Sequence, residues 1–408
     1  MSLADEHANI SDDPAEQPDV ETILNDDIDF DAVVRLNHWQ SPSEYYQTVP
    51  ERTQAVVSSV VASDERLRDE LRYEYLPRLL EEETLLAWKR ADADYINLLR
   101  QKFLLAGKVV AADATISRYE TLSLVGAQIA ISRVGYHQRS PNQYASNLMY
   151  WGQEVPKQPT AKEVVDALRS RGKKLKEKLP SLVLDALSKY MERRVLLEVP
   201  EGTFKFIQGP MFPHAMLSGL GYRHAMMTCL DLIAQLIDDG NYATIVSKDS
   251  HRDLELLGIA LDAGEYLIVR DGVEVLNAYL YGDGADGSKA NYTSQPVEKY
   301  GGKSQLQVFG DFQKQYGPKV VQGILRAHPM SRPYVFYCNR DRVDEAVHLL
   351  LADAAHTGPR GFPLLLDLAD QYCSGAFKAS EYTSRMNAEF ARAAGGSGLY
   401  QSERTTRD

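Results

Sequence analysis

The stretch KVVAADATISRYETLSLVGAQIAI, residues 108–131, opens and closes as an apolar strand and places Asp113 where the first strand is expected to finish. A carboxylate at such a position suits one kind of chemistry when other acids join it. Carboxylates are hard ligands for Mg²⁺ or Mn²⁺, and they repel one another when crowded without cations. Phosphodiester hydrolysis needs positive charge to stabilise the phosphoryl oxygens, orient water and assist the leaving oxygen; two divalent ions about 3.5–4 Å apart do all three. One aspartate establishes little, so the weight falls on what arrives beside it. Other polar clusters point less clearly. Arg169, Arg171, Lys173, Lys174, Lys176 and Lys178 form the strongest basic run, which suits a DNA backbone or simply a solvated helix face. His214 and His251 lack spacing that identifies a metal site. RDGV at 270–273 reads as a turn, and GDGADGS lacks the terminal acid of a calcium loop.

The 408-residue chain, 44% apolar, is long enough to bury a large core. Its formal charge of -12 argues against a generally basic nucleic-acid wrapper while leaving room for a local basic groove. Eleven acidic residues precede the first Lys or Arg, Arg35, so residues 1–40 read as an acidic flexible tail, solubilising or partner-binding. Cys229, Cys338 and Cys373 are far apart and lack CxxC spacing, which fits a reducing, cytoplasmic setting. No apolar run approaches the roughly 18 residues of a membrane span, and no leader pattern opens the chain.

Residues 41–105 read as a helical extension, with Ser41 as a cap and a kink at Pro77. Strands are expected at 108–114, 121–134, TFKFIQ, YATIVS, GEYLIVRDG, VLNAYLYG and RPYVFYCN. A mostly helical segment is expected with 160–200 as its clearest part, and helices over roughly 215–237, 341–353 and 364–390, with GADGSKANYTSQPVEKYGGKS as a polar loop. Mixed strands and helices predict an α/β sheet domain over 106–390, followed by a flexible tail at 391–408.

The order of landmarks resembles the NurA nuclease family over roughly 106–390: Asp113, the helix with Glu192 in YMERRV, the strand ending FIQGPMFP, then YATIVSKDSHRD and GPRGFPLLLDLADQYC. The resemblance implies a ribonuclease-H-like mixed sheet with surrounding helices, a homodimer, DNA cleavage with manganese, and work beside the hexameric ring translocase HerA. It also implies site residues. Asp113 matches the family's first-strand metal ligand, with Ala114 in place of a glycine and Thr115 as the small hydroxyl residue. Glu192 matches a helix glutamate, with Glu198 and Glu201 close by in sequence; the alternative for Glu192 is a salt bridge with Arg193 or Arg194. Gln208 stands where the family has an aspartate, before Gly209, Pro210 and Met211. Asp370 stands where it has a histidine, either as a compensating ligand or as a cap or ion-pair partner. Lys248 matches a lysine after a core strand and could contact phosphate.

The resemblance therefore implies a DNA end-processing nuclease using Mn²⁺ or Mg²⁺, with Asp113, Glu192 and Asp370 as ligands and Gln208 and Lys248 assisting. Because Gln208 cannot supply the charge of an aspartate, two alternatives stand beside it: a catalytically degraded subunit that grips DNA or couples a motor, and an RNA-directed nuclease.

Overall fold

The computed structural model describes residues 63–121, 124–137, 141–151, 181–217, 223–247, 252–281 and 302–394, with isolated positions between 41 and 61 and between 160 and 166. The chain divides into two compact units, Met1–Leu76 and Pro77–Asp408. In the first, the described backbone is helical from 63 to 76, with a π-helical turn at Leu71–Tyr75 just before Pro77, where a kink is expected.

The second unit is α/β, built on a mixed sheet of nine strands among the described residues. In chain order they are β1 (Ala87–Arg90), β2 (Val109–Glu120), β3 (Leu124–Val134), β4 (Asn142–Trp151), β5 (Phe204–Gln208), β6 (Tyr242–Val246), β7 (Glu265–Asp271), β8 (Val320–Arg326) and β9 (Tyr334–Asn339). Their order across the sheet is β1-β7-β8-β9-β6-β5-β2-β3-β4. β5 runs parallel to β2 on one side and to β6 on the other, while the remaining pairs are antiparallel. The central strands are buried along almost their whole length, as the continuous apolar runs YATIV and YVFYC require.

Several elements depart from expectation. The segment TISRYE is not a connection: β2 continues through it to Glu120, paired with β3 from Ala111↔Val134 to Glu120↔Val125. Asp113 therefore lies inside a long strand. A strand also sits within the stretch expected to be helical, since β1 pairs with β7 from Ala87↔Ile268 to Arg90↔Glu265. VLNAYLY, rich in strand-forming residues, is helical as α5 (Gly272–Tyr281), because the Asp271 carboxylate accepts from the amides of Val273 and Glu274 and starts a helix there. The strands β4 and β8, and the helix α6 (Gln305–Tyr316), go beyond the expected elements. The basic run at 169–178 and most of the GADGS loop lie outside the described residues.

Apart from the short helices Leu76–Glu81 and His214–Leu217, the other α-helices among the described residues are α1 (Ala93–Leu99), α2 (Ser181–Leu196), α3 (Arg223–Asp239), α4 (Arg252–Gly258), α7 (Val343–Ala354), α8 (Leu364–Ala376) and α9 (Ala379–Ala394). The expected helix 364–390 is thus two, broken at Phe377 and Lys378. α7 is buried over nearly all its length and packs with α8 on an apolar core of Phe204, Phe206, Phe336 and Leu350. The β1–α1 segment docks on α7: the Asp92 amide donates to His348 Nε2 at 2.9 Å, and Lys89 Nζ lies 3.0 Å from Asp344.

Asp353 joins α7 to α8 and to the segment just after β3. Its fully buried carboxylate accepts from the Tyr136 hydroxyl and, at 2.9 Å, from the Leu365 amide in the first turn of α8. Burial pushes its pKa up to about 6, despite those two hydrogen bonds. Because the folded pKa exceeds the unfolded value near 3.9, the folded chain holds this proton more tightly. The associated stability is fully present below about pH 4 and is lost as pH rises to about 6, by at most about 3 kcal/mol. Urea unfolding at pH 4.5 and 6.5 checks this: the difference between the two pH values should shrink in Asp353→Asn. An unchanged difference would place the proton elsewhere.

Candidate active site

The site forms where β2 outlasts its parallel neighbour. The β2–β5 ladder runs from Val109↔Phe204 to Ala112↔Ile207, so the next residues, Asp113 and Gln208, stand level and on the same sheet face. β5 ends at Gln208, and Gly209 takes a left-handed conformation (φ 95°) that turns the chain away. Ser132 of β3 is opposite Asp113 on the other side.

Glu192 arrives on α2. Leu184, Leu187 and Met191, spaced along one stripe of this helix, pack on Val125, Ala127 and Ile129 of β3. Seating that stripe buries the adjoining one, Ser188, Glu192 and Val195, and Glu192 is completely buried. Arg133 of β3 fixes the C-terminal end of α2 by donating to the Val195 carbonyl at 2.6 Å.

Two cations attend Glu192. Lys189 Nζ donates to Oε1 at 2.8 Å, with its side chain only 23% exposed. Arg193, wholly buried, approaches Oε2 at 3.8 Å, beyond hydrogen-bond range. Its guanidinium is committed elsewhere: Nη1 donates to the Lys189 carbonyl at 3.1 Å and Nη2 to the Pro210 carbonyl at 2.7 Å. Arg193 thereby ties α2 to the turn immediately after Gln208. Among the described residues, Glu192 Oε2 has no hydrogen-bond partner although it is buried.

Asp113 feels all of this. Burial, and then the charge of Glu192, push its pKa up to about 7; Lys189 offsets part of the rise, Asp370 adds to it, and the Ala114 amide opposes it. Asp370, exposed on α8, reaches the site through its charge and forms no ion pair with a described residue. Its neighbour Cys373 is buried against Thr115 and Ser132, and burial pushes that thiol up to about 11. Gln208 uses its amide on Ser247, with Nε2 donating to Oγ at 3.0 Å. Lys248 lies outside the described residues, as does His251; His214 stacks beside Tyr279, 6.4 Å between ring centres.

Asp113, Glu192 and Gln208 thus lie around the end of β5, with Asp370 acting on Asp113 through its charge. Glu192's closest cation is Lys189 rather than Arg193 or Arg194; Arg194 instead faces Glu198 at 3.9 Å on the surface. The sequence reading missed Lys189 and the tethering role of Arg193, although the i, i+3 spacing in KYMERR signals the first.

Among the described residues, no three His, Cys, Asp or Glu side chains converge as a metal-binding group. The pair of Asp113 and Glu192 nonetheless suits a hard divalent cation. Mg²⁺ and similar ions are commonly held by one or two carboxylates, the rest of the shell being water and substrate oxygen. A buried oxygen without a donor and an acid made costly by its neighbour are both relieved by one added positive charge.

The chain is similar to solved NurA structures. The NurA nuclease from Sulfolobus solfataricus is 12% identical, with a TM-score of 0.42, covering 87% of this chain and 98% of that one. A second NurA structure is 9% identical with a TM-score of 0.45, covering 83% and 97%. A NurA structure with manganese is 10% identical with a TM-score of 0.43, covering 84% and 97%. No family model and no curated protein matches the chain.

Proposed function

We propose that this chain is a NurA-type nuclease that hydrolyses phosphodiester bonds in DNA with Mn²⁺ or Mg²⁺ held by Asp113 and Glu192. The observation that carries this reading is the burial of these two carboxylates at one site, one with an oxygen left without a donor among the described residues. When bound, a divalent ion supplies positive charge to the phosphoryl oxygens and acidifies the attacking water. The chain's own part is positional. Arg193 holds α2 and the end of β5 together, Lys189 donates to one oxygen of Glu192 and orients that carboxylate, and Gln208 offers a neutral amide on the same face as Asp113. Asp370 adds negative charge at the rim.

The NurA-like order of sequence landmarks supports DNA as substrate and a HerA-like hexameric translocase as partner. The sequence β4-β3-β2-β5-β6, an antiparallel meander continuing into two parallel strands, supports a ribonuclease-H-like core. The ten-residue outer strand β4, with Tyr144 and Met149 exposed, supports a homodimer. Three buried free thiols accord with a cytoplasmic setting. No helix among the described residues is long and apolar enough to cross a membrane.

The test is incubation of the purified chain with end-labelled DNA and, in parallel, RNA, with Mn²⁺ or Mg²⁺. Metal-dependent DNA products support the reading; cutting of RNA alone would move the substrate. Gln208, neutral and bonded to Ser247, favours the second reading of a catalytically degraded DNA-gripping or motor-coupling subunit. DNA or translocase association with neither metal binding nor cleavage would establish that alternative.

Restoring the missing charge supplies a separate prediction. Gln208→Asp places a carboxylate level with Asp113, so Mn²⁺ affinity by calorimetry should rise roughly tenfold or more, as an added unit charge nearby implies. Unchanged affinity would remove Gln208 from the site.

A further inference from the structure

The number of cations this site accepts follows from its fixed charges, and Lys189 is the residue that decides it. Three carboxylates act here: Asp113, Glu192 and, from the rim, Asp370. Two fixed cations face them. Lys189 Nζ lies 2.8 Å from Glu192 Oε1 and also acts on Asp113; Arg193 stands 3.8 Å from Glu192 Oε2. The position level with Asp113 on β5 is the neutral Gln208. Among the described residues the cluster therefore keeps one net negative charge. One divalent ion together with one phosphodiester brings it to neutrality. A second divalent ion would leave two uncompensated positive charges in a largely buried site, which is costly.

The two oxygens of Glu192 divide in the same way. Oε1 is taken by the Lys189 ammonium, while Oε2 is buried and without a hydrogen-bond donor. One oxygen has its cation built into the helix; the other, buried and with Arg193 3.8 Å away, lacks a donor among the described residues.

We propose that Lys189 serves as the built-in second cation of the site, so that the chain takes a single divalent ion, held by Asp113 and Glu192 Oε2. This inference rests on the nuclease reading for the identity of the site. It departs from a two-ion arrangement by assigning the second positive charge to a side chain. Lys189 is a positioning residue here: it acts through Glu192, and its charge excludes a second ion from that carboxylate.

The test is titration of the full chain with Mn²⁺ alone, with free Mn²⁺ followed by electron paramagnetic resonance and the bound heat by calorimetry. The wild type should bind one Mn²⁺ per chain. Lys189→Met keeps the stem and removes the charge; it should bind a second Mn²⁺ or hold the first roughly tenfold tighter. Lys189→Arg, which restores the charge, should return the chain to one ion at near wild-type affinity. A simple helix-surface ion pair would move none of these values. Two ions in the wild type would overturn the inference while leaving the nuclease reading intact. So would a folded Lys189→Met chain with unchanged number and affinity. Absence of Mn²⁺ binding in the wild type would overturn the metal site and this inference together. If Lys189→Met fails to fold, Lys189→Gln, equally uncharged but able to keep a hydrogen bond to Glu192, takes its place with the same expected and overturning results.

Discussion

Asp113→Asn loses metal-dependent DNA cleavage by at least about 10³-fold, some 4 kcal/mol of transition-state stabilisation, yet melts above the wild type in EDTA at pH 8. Both effects come from one carboxylate. Its charge is what a divalent ion requires, and no other acid shares its place on the strand face, since Gln208 stands level with it. Without a cation that same charge is a burden, because burial and Glu192 push the Asp113 pKa up to about 7. The unfolded value is near 3.9. The folded chain therefore binds this proton more tightly, and the associated stability is lost as pH rises from about 4 to about 7. Above that window the ionised aspartate costs on the order of a few kcal/mol, which a neutral asparagine removes. Thermal melts in EDTA should show the variant ahead at pH 8 and the two proteins converging near pH 4. A variant that melts lower at pH 8 would mean that the Asp113 charge stabilises the metal-free fold.

Arg193→Ala destabilises the fold by about 3–5 kcal/mol, the range for removing one partner of a buried charge pair. The substitution strips a guanidinium that is wholly buried, removes the side-chain donor from the Pro210 carbonyl and the additional donor from the helix-bonded Lys189 carbonyl, and takes the second cation away from Glu192. It also unties α2 from the turn after Gln208, so the residual folded protein should hold Mn²⁺ more weakly. Arg193→Lys should restore little. A single ammonium on a flexible stem does not reproduce two donors fixed in one plane and aimed at the carbonyls of Lys189, on its own helix, and Pro210, seventeen residues further along the chain from Arg193. Urea titrations of the three proteins give the comparison, and a loss below about 1 kcal/mol would assign Arg193 to an ordinary surface-like ion pair.

What the sequence disclosed follows from which forces are local. FKFIQ, YATIV and YVFYCN are buried on both faces, so their apolar runs and β-branched residues announce strands without reference to the rest of the chain. VLNAYLY carries the same composition but is helical, because the Asp271 side chain caps a helix that packs beside β7 and β8. β4 was obscured for the opposite reason: at the sheet edge it is mostly exposed, so NQYASNLMYW has little apolar pattern, and its pairing with β3 gives it its form. Asp113 was identified by its apolar surroundings and its place in the landmark order. Its actual setting inside β2 depends on where β5 stops, which the β2 segment does not encode. Lys189 was legible in principle, since three residues separate it from Glu192 on a helix. Its burial beside Asp113 depends on how α2 sits on β3.

The most direct measurement is cleavage of end-labelled single- and double-stranded DNA by the wild type and by folded Asp113→Ala, each with Mn²⁺, Mg²⁺ or EDTA. Products formed by the wild type with metal, and lost both in EDTA and in Asp113→Ala, are the predicted result. Cleavage that persists in the folded Asp113→Ala protein, or in EDTA, would contradict a metal-dependent nuclease centred on the buried acids of β2 and α2.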